Sequence, residues 1–262
     1  MIQSPDRPVY FYKYKYIDQA APEHSSRIFT HNELHFCTAD DFNDPFDCRF
    51  RVELIGSDDE KLKFCEKLLK GQDSSLNGQQ LRAKAIQFSA YLNSHDSKKM
   101  VQEAAIQEVG TYGICCFSKV RDNILMWAHY ANAHRGFCLE FLVEPKPRRE
   151  YEILEPHRVK YSDKYPVVNR LHDTDKVLAE KTILTKANQW KYEEEWRMVD
   201  PNGPGPHQFS SRLLTGVIFG CRMPENHKKM IRDWCKDRET TVEYYEAQLS
   251  DDSYSLKIIP AQ

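Results

Sequence analysis

An α+β fold is predicted for this chain: a twisted, mostly antiparallel β-sheet, with room for a split, flanked by helices and carrying a helical insertion. Three observations predict it. Short runs with period-two alternation recur near both ends of the sequence. A polar stretch with helical spacing, residues 57–110, separates the early strands from the later ones. A central segment, residues 113–143, reads strand, turn, short helix, turn, strand, and concentrates hydrogen-bonding side chains at its connections.

At 262 residues the length suits a single domain over 1–262 with the insertion at about 57–110. Hydrophobic residues at 40% and charged residues at 29% describe an ordinary globular chain. A formal net charge of -2 argues against a dedicated polyanion binder. The 8 cysteines include no CxxC pair, so reduced, mostly buried thiols of a cytoplasmic protein are expected. No apolar run approaches the ~18 residues of a membrane span, and no membrane partner is expected.

The elements follow in order. Residues 8–16, PVYFYKYKY, set Tyr10, Tyr12, Tyr14 and Tyr16 on one face against Phe11, Lys13 and Lys15, which is a strand. Residues 33–37 form a second. The run TADDFNDPFDC (38–48) is dense in Asx residues, which bond their own backbone in turns. The insertion should form two or three helices broken near GQDSSLNG (71–78), a specificity cap without a core of its own. Gly113–Ser118 is β-prone, and adjacent Cys115 and Cys116 should point to opposite faces. Asp122 or Asn123 caps a helix with Ile124, Trp127, Ala128 and Ala131 at helical spacing. Phe137–Val143 alternates as a strand, and 145–149 is a basic turn. A strand in 151–161, a helix over 173–187, strands at 190–199 and 213–220, a helix over 224–238 and closing strands at 241–245 and 254–259 complete the reading.

Chemistry concentrates in two places. On a strand over 190–199, Glu193, Glu195 and Arg197 share a face. That face is either a solvated charge run with a structural arginine pair or paired carboxylates whose pKa values are pushed apart for acid–base work. In the central segment Ser118, Trp127, His129, Tyr130, His134 and Arg135 lie between two core strands. The histidines are five apart, which does not suit a helical zinc pair, so no metal ligands are assigned. No Walker loop, dinucleotide glycine fingerprint or GxSxG elbow is present.

The blocks FYKYK, DDFNDPFDC, CFS, LMWAHYANAHRGFCLEF, WKYEEEWRMV and LTGVIFGC together resemble a bacterial family described only as domain of unknown function 2971. Members of it are met as stand-alone proteins, some near defence or mobile-element genes. A second resemblance, to ADP-ribosyltransferases, rests on three positions: Tyr12, Lys13 or Tyr14 on the first strand, Phe117-Ser118 on a middle one, and Glu193-Glu-Glu195 on a later one. The first strand has no arginine, and Ser118 lacks the Thr-Ser continuation. That resemblance implies NAD as substrate, with a protein or nucleic-acid acceptor, in a toxin or anti-phage effector. It implies Glu195 as the key carboxylate on the ribose, Glu193 as orienter or base for the acceptor, and Ser118 as support. Tyr12, Tyr14 and Trp127 would stack the nicotinamide, and Lys13 or Arg135 would meet the pyrophosphate. His129 is a further candidate for proton transfer, with Tyr130 and His134 as ligand contacts. Two other readings are a non-catalytic sensor of a nucleotide-type molecule, and a metal-assisted hydrolase or nuclease using His129, His134 and the acids of 41–47.

Overall fold

The computed structural model describes residues 9–92, 94–143 and 156–261. In chain order it contains β1 (Val9–Lys15), α1 (Pro22–Thr30), β2 (Glu33–Phe36), β3 (Arg51–Glu53), α2 (Asp58–Gln72), α3 (Gly78–Tyr91) and α4 (His95–Gly110). Next come β4 (Gly113–Ser118), α5 (Ile124–Tyr130), β5 (Phe137–Val143), β6 (His157–Arg158), β7 (Lys160–Ser162), β8 (Val167–Asn169), α6 (Asp175–Ile183) and β9 (Thr185–Ala187). The chain closes with β10 (Glu195–Asp200), β11 (Gly205–Gln208), β12 (Leu214–Phe219), α7 (Glu225–Trp234), β13 (Glu243–Leu249) and β14 (Leu256–Pro260). The basic turn expected at 145–149 and the start of the strand expected in 151–161 lie outside the described residues.

The described residues divide into two compact units. One takes in those of Met1–Thr38, Gly113–Val159 and Gln189–Gln262; the other takes in Ala39–Tyr112 and Lys160–Asn188. The second unit is built on α2, α3 and α4, with two short parallel ladders, β3–β8 and β7–β9. Ser57 opens α2 with a complete capping box against Glu60. Cys65, Ala85, Leu92 and Val101 form a hydrophobic cluster there, a core that the polar composition of 57–110 does not announce. None of the described helices is long and apolar enough to cross a membrane.

The first unit carries one eight-stranded sheet in the order β14-β13-β12-β5-β1-β4-β10-β6. Every pairing is antiparallel except β12–β13, which the α7 crossover makes parallel. The sheet is therefore α+β in kind and largely antiparallel, as the alternating runs require. Its faces are sorted by period two. Phe11, Phe117, Phe141 and Val217 join Phe29 of α1 and Ile231 of α7 on one side. Tyr14, Cys138 and Ile218 meet Met126, Trp127 and Ala131 on the other. The α5 helix thus buries Met126 and Trp127, not the expected Ile124 and Ala128, which are exposed. Cys115 enters the first cluster, while Cys116 lies on the opposite side beside Glu195. All eight cysteines are free thiols.

Between β1 and β4 the sheet has a seam. The two strands share one register pair, Tyr12 opposite Ser118, whereas β1 pairs with β5 along its whole length. Lysines bond across the gap on either side of that rung. Lys13 Nζ donates to the Cys116 carbonyl at 2.9 Å, and Lys119 Nζ donates to the Tyr10 carbonyl at 2.6 Å. Each ammonium also sits over a phenyl ring, Phe117 and Phe11 respectively.

Several expected boundaries move. The strand expected over 190–199 starts only at Glu195, because Asn188–Glu193 winds as a 3-10 helix and Glu194 takes a left-handed φ of 44°. The helix expected to reach 187 ends at Ile183, and Thr185–Ala187 pairs with β7 instead. The penultimate strand runs on to Leu249.

Candidate functional site

The register of the first unit sets four polar residues in one cross-strand row. Glu140 on β5 is opposite Tyr12 on β1, Tyr12 is opposite Ser118 on β4, and Ser118 is opposite Glu195 on β10. Directly opposed residues share a face, so all four point to the α5 side. Three strand spacings of ~4.8 Å put the two glutamates about 14 Å apart along the row.

Each end of the row holds its carboxylate differently. Glu195 receives a fork from Arg197, with Nε to Oε1 at 2.7 Å and Nη2 to Oε2 at 3.1 Å. Glu195 is 4% exposed and Arg197 0%, so this is a buried, bidentate pair. The face expected as a solvated charge run with a structural arginine pair is thus buried, and the arginine pair lies inside the sheet. Glu193 is not on that strand. It lies before the left-handed Glu194, is buried, and accepts at Oε1 from Tyr130 Oη at 2.7 Å. The two glutamates therefore do not follow each other along one strand, as the alternation over 190–199 predicts.

The middle of the row anchors the connection from β4 to α5. Ser118 Oγ donates to the Glu193 carbonyl at 2.5 Å and accepts from Val120 N–H at 3.0 Å. Tyr14 Oη donates to the Val120 carbonyl at 2.9 Å, and Trp127 Nε1 donates to the Arg121 carbonyl at 2.9 Å. Asn123 closes the connection by capping α5 through Leu125 and Met126. Ser118, Tyr14 and Trp127 therefore bond the loop that presents Arg121. Trp127 is fully buried, edge-on to Tyr14 with centroids 5.2 Å apart, and has no face open to a nicotinamide.

Arg121 reaches the far end of the row. Its Nη1 stands 3.5 Å from Glu140 Oε2, which also faces Tyr12 Oη at 3.4 Å, while Thr215 Oγ1 donates to Oε1 at 3.1 Å. Burial, and then the Glu140 charge, push the Tyr12 phenol from 10.0 up to about 12. The folded phenol then holds its proton more tightly than the unfolded one, so this stabilisation is full below pH 10 and is lost as pH rises through about 12. Tyr12→Phe should flatten the loss of stability across that window, read as urea midpoints at stepped pH. An unchanged slope would assign the alkaline loss to another group.

The remaining candidates fall outside the row. Lys13 points to the opposite face, into the seam, because odd positions of β1 face α1. His129 is exposed, edge-on to Trp190 at 5.9 Å, and Arg135 is exposed too. Asn132, Ala133 and His134 take consecutive left-handed φ values of 46°, 51° and 66°. That turn lets Gly136 pass against the Lys15 carbonyl, where any Cβ would collide with backbone. The His134 ring lies parallel to Trp127, with Nδ1 buried and without a hydrogen-bond partner. Burial, then nearby Arg222, lowers its pKa.

In the other unit Asp44 bonds Phe46 N–H at 2.9 Å, as an Asx turn should. Asp47 is buried 3.5 Å from Lys186 Nζ. Among the described residues no three His, Cys, Asp or Glu side chains group to hold a metal ion, so the metal-assisted reading has no ligand set there. Two clefts lie away from the row, one of about 300 Å³ against Asp44, Arg49 and Phe50, the other of about 440 Å³ around Trp234 and Arg238.

Neither Glu140 nor Arg121 stands out when the chain is read residue by residue. The available signal was a lone carboxylate in the middle of an otherwise apolar strand, FCLEFLV, buried at five consecutive positions.

A family model described as "Protein of unknown function (DUF2971)" matches residues 126–198. Over that stretch the chain resembles the DUF2971 family. The match runs from α5 through β5 to β10, and so includes Glu140, Glu193, Glu195 and Arg197. Tyr12, Ser118 and Arg121 lie outside the DUF2971 match. Searches of curated proteins and of solved structures found no match, and the ADP-ribosyltransferase resemblance rests on its three sequence positions alone.

Proposed function

We propose that this chain is an ADP-ribosyltransferase-like enzyme that consumes NAD at the row on the α5 face, acting as a bacterial toxin or anti-phage effector. One observation supports the reading above others: Tyr12, Ser118 and Glu195, from three distant segments, stand opposite one another on adjacent strands. In the reaction the bond from ribose C1′ to the nicotinamide nitrogen breaks, and its electron pair leaves with nicotinamide. The oxocarbenium ion left at C1′ takes an acceptor oxygen, from water or a macromolecule, which releases its proton. A carboxylate beside the ribose stabilises that cation as it does in glycoside hydrolysis.

Adding NAD should raise the melting temperature of the chain, and chromatography should detect free nicotinamide. Tyr12→Ala should remove both effects. No stabilisation and no nicotinamide from the unaltered chain would refute the proposal. A second reading, recognition of a nucleotide without turnover, is favoured by the Arg197 fork, which already occupies both oxygens of Glu195. Stabilisation by NAD without nicotinamide release would select it.

A further inference from the structure

We infer that Glu140, not Glu195, is the carboxylate that touches the ligand, and that with Tyr12, Arg121 and Tyr245 it forms a cradle for the ribose diol of a nucleotide. The inference rests on the proposed use of the row and assigns its working end.

The two glutamates differ in what holds them. Glu195 is gripped at both oxygens by a guanidinium that is itself wholly buried. Glu140 is nearly as buried, at 8% exposure, yet two of its three side-chain partners stand at 3.4 and 3.5 Å. A carboxylate has about four acceptor positions, and burying its charge is costly unless they are used. Long, weak bonds in a nearly dry position leave acceptor capacity for hydroxyl donors.

The sheet also makes room for this carboxylate. Opposite it on β12 stands Gly216, where a Cβ would lie 3.2 Å from Glu140 Oε1 and 3.2 Å from the Tyr245 ring. A bare position at the centre of a sheet forfeits packing, and here it keeps the oxygen and the ring uncrowded.

The surroundings match a nucleotide sugar. Tyr12 and Tyr245 are half-buried, with the Arg121 guanidinium 6.0 Å from the Tyr245 ring centre. The Arg121 side chain is 40% exposed, so its remaining N–H groups are open to phosphate oxygens. Its backbone is held by the Trp127 bond to its carbonyl, which fixes the point from which the side chain reaches Glu140. Two vicinal hydroxyls would donate to Glu140, and its charge would then lie beside the C1′ centre where positive charge develops.

The test uses ADP-ribose as the binding probe and NAD as the turnover probe, on the full chain. Glu140→Gln should weaken ADP-ribose binding by calorimetry at least ~10-fold, the scale of one lost charged hydrogen bond. It should slow nicotinamide release ~100-fold or more, the usual loss for one electrostatic contact to a transition state. Gly216→Ala, which keeps the carboxylate but crowds it, should weaken ADP-ribose in the same direction and covers the case in which Glu140→Gln does not fold. Unchanged binding and release in both folded variants overturn the inference and leave the transferase reading standing. Binding that depends on Glu140 in a chain releasing no nicotinamide keeps the ribose cradle and removes the transferase. An unaltered chain that neither binds ADP-ribose nor releases nicotinamide removes both.

Discussion

Replacing Glu195 by glutamine is expected to cost the fold about 3–5 kcal/mol, because it removes the charge that a buried guanidinium grips at two oxygens. Arg197 is 0% exposed, and both of its bonds to Glu195 are made inside the sheet. The loss should be read as a lower urea midpoint with the slope unchanged. Replacing Arg197 as well, in Glu195→Leu with Arg197→Met, should recover part of it, since the buried guanidinium is then removed together with that carboxylate. A single variant within 1 kcal/mol of the parent, by the same reasoning, would show that water reaches the pair. The consequence for function is direct. Lost activity in Glu195→Gln would report unfolding, so that variant cannot by itself identify a catalytic acid.

Trp127→Ala should cost a comparable amount, about 3–5 kcal/mol, from the cavity left by a large buried ring. Here the packing loss comes with a polar one. The indole N–H bonds the Arg121 carbonyl, and the ring packs between Tyr14 and His134. Trp127→Phe separates the two, retaining a ring while losing the hydrogen bond, and should cost clearly less. Chemical denaturation of the two variants measures the difference. If both fall equally, the Arg121 contact and not the packed ring would be what holds α5 to the sheet.

Much of the first unit was legible because its signals are local. Alternation in YFYKYKY fixes which residues of β1 face α5, and Asn123 caps its helix within three residues. The paired placement of Cys115 and Cys116 follows from period two alone. What could not be read depends on distant pairing or on one backbone angle. Nothing in EEEW announces that Glu194 turns left-handed, yet that angle takes Glu193 off the strand. Strand β3, just before the helical stretch, pairs with β8 beyond residue 160, so the make-up of the second unit is a long-range property. Ser118 and Trp127 stand out in the sequence as polar or bulky residues between two core strands. In the structure their hydrogen bonds hold the loop that carries Arg121, a residue with no distinguishing local pattern in the sequence.

The lysine bonds between β1 and β4 have a consequence for how the sheet can be altered. Elsewhere in it neighbouring strands are tied by main-chain amides, which no substitution except proline can delete. Across this one joint, two of the ties are written in side chains, so it is open to rewriting one codon at a time. Shortening Lys13 or Lys119 would loosen it, and the rung it would leave is the one on which Tyr12 and Ser118 meet.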